Sequence, residues 1–291
     1  DLVTVNPNNK NWNWKDLFCY WGVSIQSVIG FSLITSLYVV YNLNVFVVFI
    51  GTILGSLLVY LFSTLIGKPS QKFGLPFVVM LRSSLGFNGA KYFGFIRFLV
   101  GVFLFGVQTY FLSKVFGYLL RILVFSLDPS LLDRELFLTF FLGMNVIDWS
   151  AFFISIISQF FLFSIGMNFN KKLIKFSALA VYLGMIIFFF TVLLSDVKLT
   201  VNAFKDVLIF ENFTNQNNLG PIITITGTMF AYFSIIILNY GDFSRYVKND
   251  SELKKGNLSL ILNLIIFTFF SLFIVSGVDA FLKQDQENIS R

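Results

Sequence analysis

The chain has 291 residues, 56% of them hydrophobic and only 12% charged, with 40 Phe, whereas a soluble domain carries roughly 25% charged residues. That is the composition of a polytopic membrane protein, so the net charge of +6 is read as loop charge that orients spans in a bilayer rather than as a nucleic-acid surface. The absence of His and the single cysteine, Cys19, leave little basis for metal ligation, histidine-dependent catalysis or a disulfide framework.

Residues 1–16 form a polar lead-in that places Trp12 and Trp14 at headgroup level. It lacks the apolar core and small-residue cleavage site of a signal peptide, and it begins with Asp. The first predicted span, 17–41, is uncharged and, at ~1.5 Å of rise per residue, long enough for a ~30 Å hydrocarbon core. Its middle holds Gly22, Ser24, Gln26, Ser27, Gly30 and Ser32. Lipid offers those groups no hydrogen-bond partner, so they face protein or a wet cavity. Gly30, Ser32 and Ser36 read as small residues for close helix packing. Gln26, beside Trp21 and Gly22, reads as a ligand contact, because a primary amide offers both donors and acceptors to a small planar polar molecule.

The second span is 45–66, joined to the first by a short turn at 42–44. Residues 67–91 carry Lys68, Lys72, Arg82 and Lys91 with Pro69 and Pro76 as breakers, and read as a long loop. The third span, 92–125, is long enough to tilt or to extend beyond the bilayer. Residues 126–145 read as an external loop with a short amphipathic helix. The fourth span, 146–168, holds Asp148 and Gln159, and the fifth is 176–195. A polar loop at 196–218 leads to the sixth span, 219–240, and the seventh is 256–278, followed by a polar tail.

With alternating spans, Lys10, Lys15, the basic residues of 67–91, Lys171, Lys172, Lys175, Arg245, Lys248, Lys254 and Lys255 share one side. The other has only Arg134, Lys198, Lys205, Lys283 and Arg291 in its loops. The positive-inside rule then puts the amino terminus in the cytoplasm and the chain in the plasma (inner) membrane. Asp242 and Arg245, three apart after the sixth span, suit an ion pair or contacts to another loop, a structural or gating role.

Polar residues recur inside other spans. Gln108 and Thr109 lie in the third, and Thr224, Thr226, Thr228, Ser234 and Asn239 lie in the sixth beside Phe230, Tyr232 and Phe233. Amides and rings from separate helices can enclose a flat heterocycle, the rings covering its faces and the amides reading its edge. Each amide alone also serves as an interhelical hydrogen bond of ~0.6 kcal/mol. The first and sixth spans share the small and hydroxylated centres of discontinuous transporter helices.

Several motifs carry a family resemblance: Asp1-Leu2 with Trp14, Trp21-Gly22-Val23-Ser24-Ile25-Gln26, Gly74-Leu75-Pro76-Phe77, Leu81-Arg82-Ser83-Ser84-Leu85-Gly86-Phe87-Asn88-Gly89-Ala90, Phe105-Gly106-Val107-Gln108-Thr109-Tyr110, and Asn239-Tyr240-Gly241-Asp242-Phe243-Ser244-Arg245-Tyr246. Over essentially its whole length the chain resembles the nucleobase:cation symporter-1 family, permeases for uracil, cytosine, allantoin, hydantoins and related compounds. The resemblance implies an all-α, leucine-transporter-like inverted-repeat fold with broken first and sixth helices and about twelve spans, so a chain with seven is expected to be incomplete. It implies a single transmembrane transporter domain, acting as a monomeric transport unit in the lipid bilayer, that imports a nucleobase-like solute with Na⁺ or H⁺ by alternating access. A thiamine-like vitamin is the alternative cargo, and a channel or receptor the alternative class. Under the resemblance, Gln26 and Gln108 bond the ligand edge, Phe233 stacks on its face, Trp21 and Asn239 line the site, and the carbonyls of Gly22 and Ile25 face a sodium ion. Leu104 and Phe233 stand where relatives often carry Trp. No enzymatic constellation is present in the sequence and no cofactor is expected.

Overall fold

The structure is a computed structural model that describes residues 3–37, 44–127, 140–208 and 218–289. The expected helix within 126–145 falls largely outside those residues, as does most of the turn at 42–44. The helices are α1 (Trp14–Ile25), α2 (Val28–Thr35), α3 (Val45–Phe73), α4 (Phe77–Met80), α5 (Arg82–Leu127), α6 (Val146–Ser164), α7 (Met167–Ser195), α8 (Val197–Val207), α9 (Leu219–Ser244) and α10 (Asp250–Ile289). Among the described residues the fold is all-α, with only isolated bridges at Trp12–Val247 and Phe141–Met144.

Among the described residues, six helices are long and apolar enough to cross a membrane, and the α1–α2 pair, bent by 60°, makes a seventh if counted as one span. The described parts of the seven expected spans are helical and the first of them is broken, whereas the sixth, also expected to be broken, runs as the single continuous helix α9. The expected loop at 67–91 is largely helical instead. α3 continues through Pro69 to Phe73 and ends where Gly74 turns left-handed at φ +68°. A proline removes one backbone donor and no more if its ring is accommodated, and here the following residues Ser70 and Gln71 are buried. Gly74 fits that turn because a Cβ there would meet the Val5 carbonyl at 2.6 Å. α5 starts at Arg82 and contains a non-helical residue, Gly86, at φ +68°. The expected polar loop at 196–218 begins with helix α8, capped by the Asp196 side chain accepting from the Leu199 amide.

The chain divides into two compact units, one drawn from Asp1–Ser84 and Leu173–Arg291, the other from Leu85–Lys172. In the first unit α3 and α9 pack at close range through glycines. A Cβ at Gly51 would lie 2.7 Å from Ile225, and one at Gly55 would lie 2.7 Å from Met229. Small residues substitute for a hydrophobic driving force inside lipid, since they let backbones approach. At the end where α1 begins, residues 3–16 lie across three helix ends: the Val5 amide donates to the Gly74 carbonyl, the Trp12 amide to Tyr246 and the Lys248 amide back to Trp12. Trp12 is 1% exposed. Behind it Tyr20, Trp21, Tyr240 and Phe243 form an aromatic cluster with ring centroids 4.5–6.4 Å apart.

Asp16 does two jobs in this region. One carboxylate oxygen accepts from the Asn13 amide at 2.8 Å, closing a capping box on α1, and the other sits 2.6 Å from the Lys175 ammonium on α7. Nearby, Asp242 accepts from the Phe77 amide at 3.1 Å, and Arg245 donates to the Asp242 carbonyl at 3.2 Å. The pair therefore includes the loop contact that its spacing allowed.

The second unit holds most of α5 with α6. Arg121 donates to Asp148 at 2.8 Å and Lys114 stands 3.9 Å from the same oxygen, while Asn145 caps the first turn of α6. Further along, the Thr109 hydroxyl donates to Gln159 Oε1 at 3.0 Å, an interhelical hydrogen bond in the membrane.

Candidate functional site

The break in the first span is built from local chemistry. Gln26 leaves helical geometry at φ −79°, ψ 66°, and the Ser27 amide turns back to the Ile25 carbonyl at 2.8 Å. Ser27 then restarts the chain as the N-cap of α2, its hydroxyl accepting from the Gly30 amide at 3.1 Å and pairing with the Tyr232 hydroxyl of α9 at 2.7 Å. Gly30 is needed for this close return, since a Cβ there would lie 2.7 Å from the Ile25 carbonyl oxygen. The negative end of α1 and the positive end of α2 therefore meet inside the first unit, the arrangement by which discontinuous helices present backbone charge to a solute.

Gln26 sits at the break. It is 8% exposed, and neither its amide oxygen nor its amide nitrogen has a hydrogen bond of normal geometry. The Tyr182 hydroxyl on α7 lies within reach of Gln26 and donates to Asn263 Oδ1 on α10. An amide without a hydrogen bond in a dry interior is costly, so it calls for a partner of some kind. Gln26 is buried, as a polar side chain in an uncharged span must be.

The other expected residues have distinct surroundings. Phe233 is 1% exposed on α9, its ring edge-on to Tyr232 at 4.9 Å. Beside it an apolar void of about 10 Å³ is lined by Ile25, Gly30, Ile34, Phe233 and Phe267, space for no more than one water. Trp21 is fully buried and stacks on Tyr240 at 5.2 Å. Asn239 is half-buried and donates to the Ile235 carbonyl of its own helix at 3.1 Å. The Gly22 carbonyl accepts from the Gln26 amide at 3.0 Å, and that of Ile25 accepts from Ser27. Gln108 belongs to the second unit, where its side chain is exposed, whereas Gln26, Trp21, Phe233 and Asn239 belong to the first.

A larger cavity of about 780 Å³ opens between α2 and the start of α9, lined by the hydroxyls of Ser32, Ser36, Thr224 and Thr228 with Leu33 and Pro221. The hydroxyls of Ser36, Thr224 and Thr228 each donate to a carbonyl one turn back on their own helix.

Sequence reasoning missed Tyr182 and Asn263. The signal for Asn263 was available, an uncharged amide within an apolar run of the seventh span, as for Gln26. Tyr182 carried no such mark, because a tyrosine in a membrane helix reads as one more aromatic.

Comparison with known proteins adds the following. A family model described as permease for cytosine/purines, uracil, thiamine, allantoin matches residues 4–288. The chain is 23% identical over 279 residues to the "Purine-uracil permease NCS1" of Arabidopsis thaliana, covering 95% of this chain and 44% of that protein. It is 22% identical over 293 residues to the "Putative allantoin permease" of Escherichia coli (strain K12), covering 99% of this chain and 58% of that one. The chain therefore spans about half the length of the curated relatives it matches. No solved structure matches it.

Proposed function

We propose a transport activity from one premise: the chain belongs to the family of permeases for cytosine/purines, uracil, thiamine and allantoin, and it is a multi-pass membrane protein. The activity is import of a flat, nitrogen-rich, nucleobase-like solute, driven by Na⁺ or H⁺ through alternating access, across the plasma (inner) membrane with the amino terminus in the cytoplasm. The observation that carries this reading is Gln26, a buried amide without a partner at the break between α1 and α2. A ligand with an amide or imide edge supplies what that side chain lacks, and Phe233, next along the wall of the break, offers a ring face. The carbonyls at the end of α1, Gly22 and Ile25, supply partial negative charge for a coupling cation. Trp21 and Asn239 frame the same unit, and Gln108 enters the proposal by its motif. The transport unit is a monomer.

The test is tracer uptake of uracil, cytosine, allantoin, hydantoin and thiamine into vesicles holding the full-length protein, with and without an imposed sodium or proton gradient. Saturable uptake of one of these that collapses with one gradient is the expected result. Uptake of none of them, or linear uptake indifferent to both gradients, overturns the reading.

A further inference from the structure

Side chains from α1, α7 and α10 converge on one face of α1. Gly22 has no side chain, and a Cβ there would lie 3.1 Å from Asn263 Oδ1, 3.1 Å from the Tyr182 ring and 3.4 Å from the Tyr182 hydroxyl. Gln26 is four residues on from Gly22, hence one turn along the same face. Tyr182 and Asn263 therefore stand beside the orphaned amide.

Their hydrogen bonds define what each has left to offer. Asn263 is fully buried, and its amide nitrogen is committed to the Ser259 carbonyl at 2.8 Å and the Phe18 carbonyl at 3.4 Å. That fixes its rotamer and turns Oδ1 toward Gly22 and Tyr182 as an acceptor. The Tyr182 ring is held by stacking on Phe18 at 5.9 Å. Its hydroxyl donates to Asn263 Oδ1, and a hydroxyl rotates about a single bond, so it changes partner without moving the ring. Swinging it to a ligand carbonyl frees Oδ1 to accept a ligand N–H. Gln26, with a donor and an acceptor both unused, takes the rest of the edge.

We propose that Tyr182 and Asn263 are specificity-determining residues that complete, with Gln26, a reader for adjacent N–H and C=O groups on a planar heterocycle. The substrate class is a lactam or imide rather than an N-alkylated ring. This rests on the permease reading, and its test separates the two. The best transported of uracil, cytosine, allantoin and hydantoin is measured in the full-length protein, and its N-methyl derivatives are tested as competitors. The wild type discriminates against at least one N-methyl derivative by roughly tenfold or more, because a site built to bond an N–H rejects the analogue lacking it. Tyr182→Phe and Asn263→Leu bring that ratio to within about threefold while the amount of protein in the membrane stays comparable. A purely structural role changes the amount of protein or the rate for all competitors alike and leaves the ratio as it was. If Asn263→Leu does not accumulate, Asn263→Ser reads the same ratio with a smaller side chain. A discrimination ratio unchanged in both Tyr182→Phe and an accumulating Asn263 variant overturns this inference while transport stands. Absence of any uptake by the wild type overturns both.

Discussion

An amide that is 8% exposed with neither end bonded is a debit of about 1–3 kcal/mol on the ligand-free protein. Gln26→Leu is therefore expected to raise the thermal stability of the ligand-free protein while weakening solute binding roughly ten- to a hundredfold. Melting in detergent and a binding isotherm check the two directions, and a variant that lost stability and kept affinity would show that Gln26 is paired within the protein. Phe233→Ala should weaken binding by a comparable factor, and Phe233→Trp should retain it because a ring face is kept. Sequence alone revealed Gln26 because a polar side chain in an uncharged run has no lipid partner. It does not say which of two neighbours faces inward: Gln108 and Thr109 point about 100° apart on a helix, and it is Thr109 that is buried and bonded to Gln159.

Between helices, contacts at glycine and at charge are the ones with consequences. Gly55→Leu must push Met229 and the α9 backbone away from α3, since its Cβ would stand 2.7 Å from Met229 and 3.1 Å from the Thr226 carbonyl. The expected cost is about 1–3 kcal/mol or more in stability, read as a lower melting temperature, with Gly101→Ala, where a Cβ meets nothing within 4 Å, as the comparison. Asp148→Asn leaves Arg121 without its carboxylate, and exchanging the two residues should recover part of the stability lost in either single variant. Gln159→Leu should alter stability or accumulation more than affinity, because its partner is Thr109. The positions of the spans were legible from uncharged length, but the helical character of 67–91 was not. Lysines and prolines there read as loop, whereas backbone bonding and burial of Ser70 and Gln71 carry α3 on to Phe73. The Arg121–Asp148 pair was likewise hidden, since nothing in one sequence says which charges on separate helices meet.

For the molecule as a whole, the match over residues 4–288 shows a family member, and the proposed orientation rests on its basic loops. Cysteines placed at Lys171 and Lys172 should resist an impermeant reagent applied to intact cells and react once the membrane is opened. Labelling from outside at either of them would invert the topology. Lys175, close to Asp16, is better left intact, since removing it strands a buried carboxylate. The all-α, multi-pass character was anticipated by composition, and the break in the first span by its polar centre and the family resemblance, while the unbroken sixth span was not anticipated. The lead-in was read as an interfacial segment, and what that reading did not include is that residues 3–16 join helix ends far away in sequence: Trp12 is bonded to Tyr246 and Lys248. Translation makes that arrangement a matter of timing. Residues 3–16 leave the ribosome before the rest of α1, and Trp12 among them finds its partners only after α9 has been inserted and α10 begun, so its backbone groups stay bonded to water throughout the intervening synthesis. Docking of Trp12 thus follows the synthesis of α9, and a nascent chain halted before residue 246 carries that tryptophan undocked, within reach of proteases and chaperones.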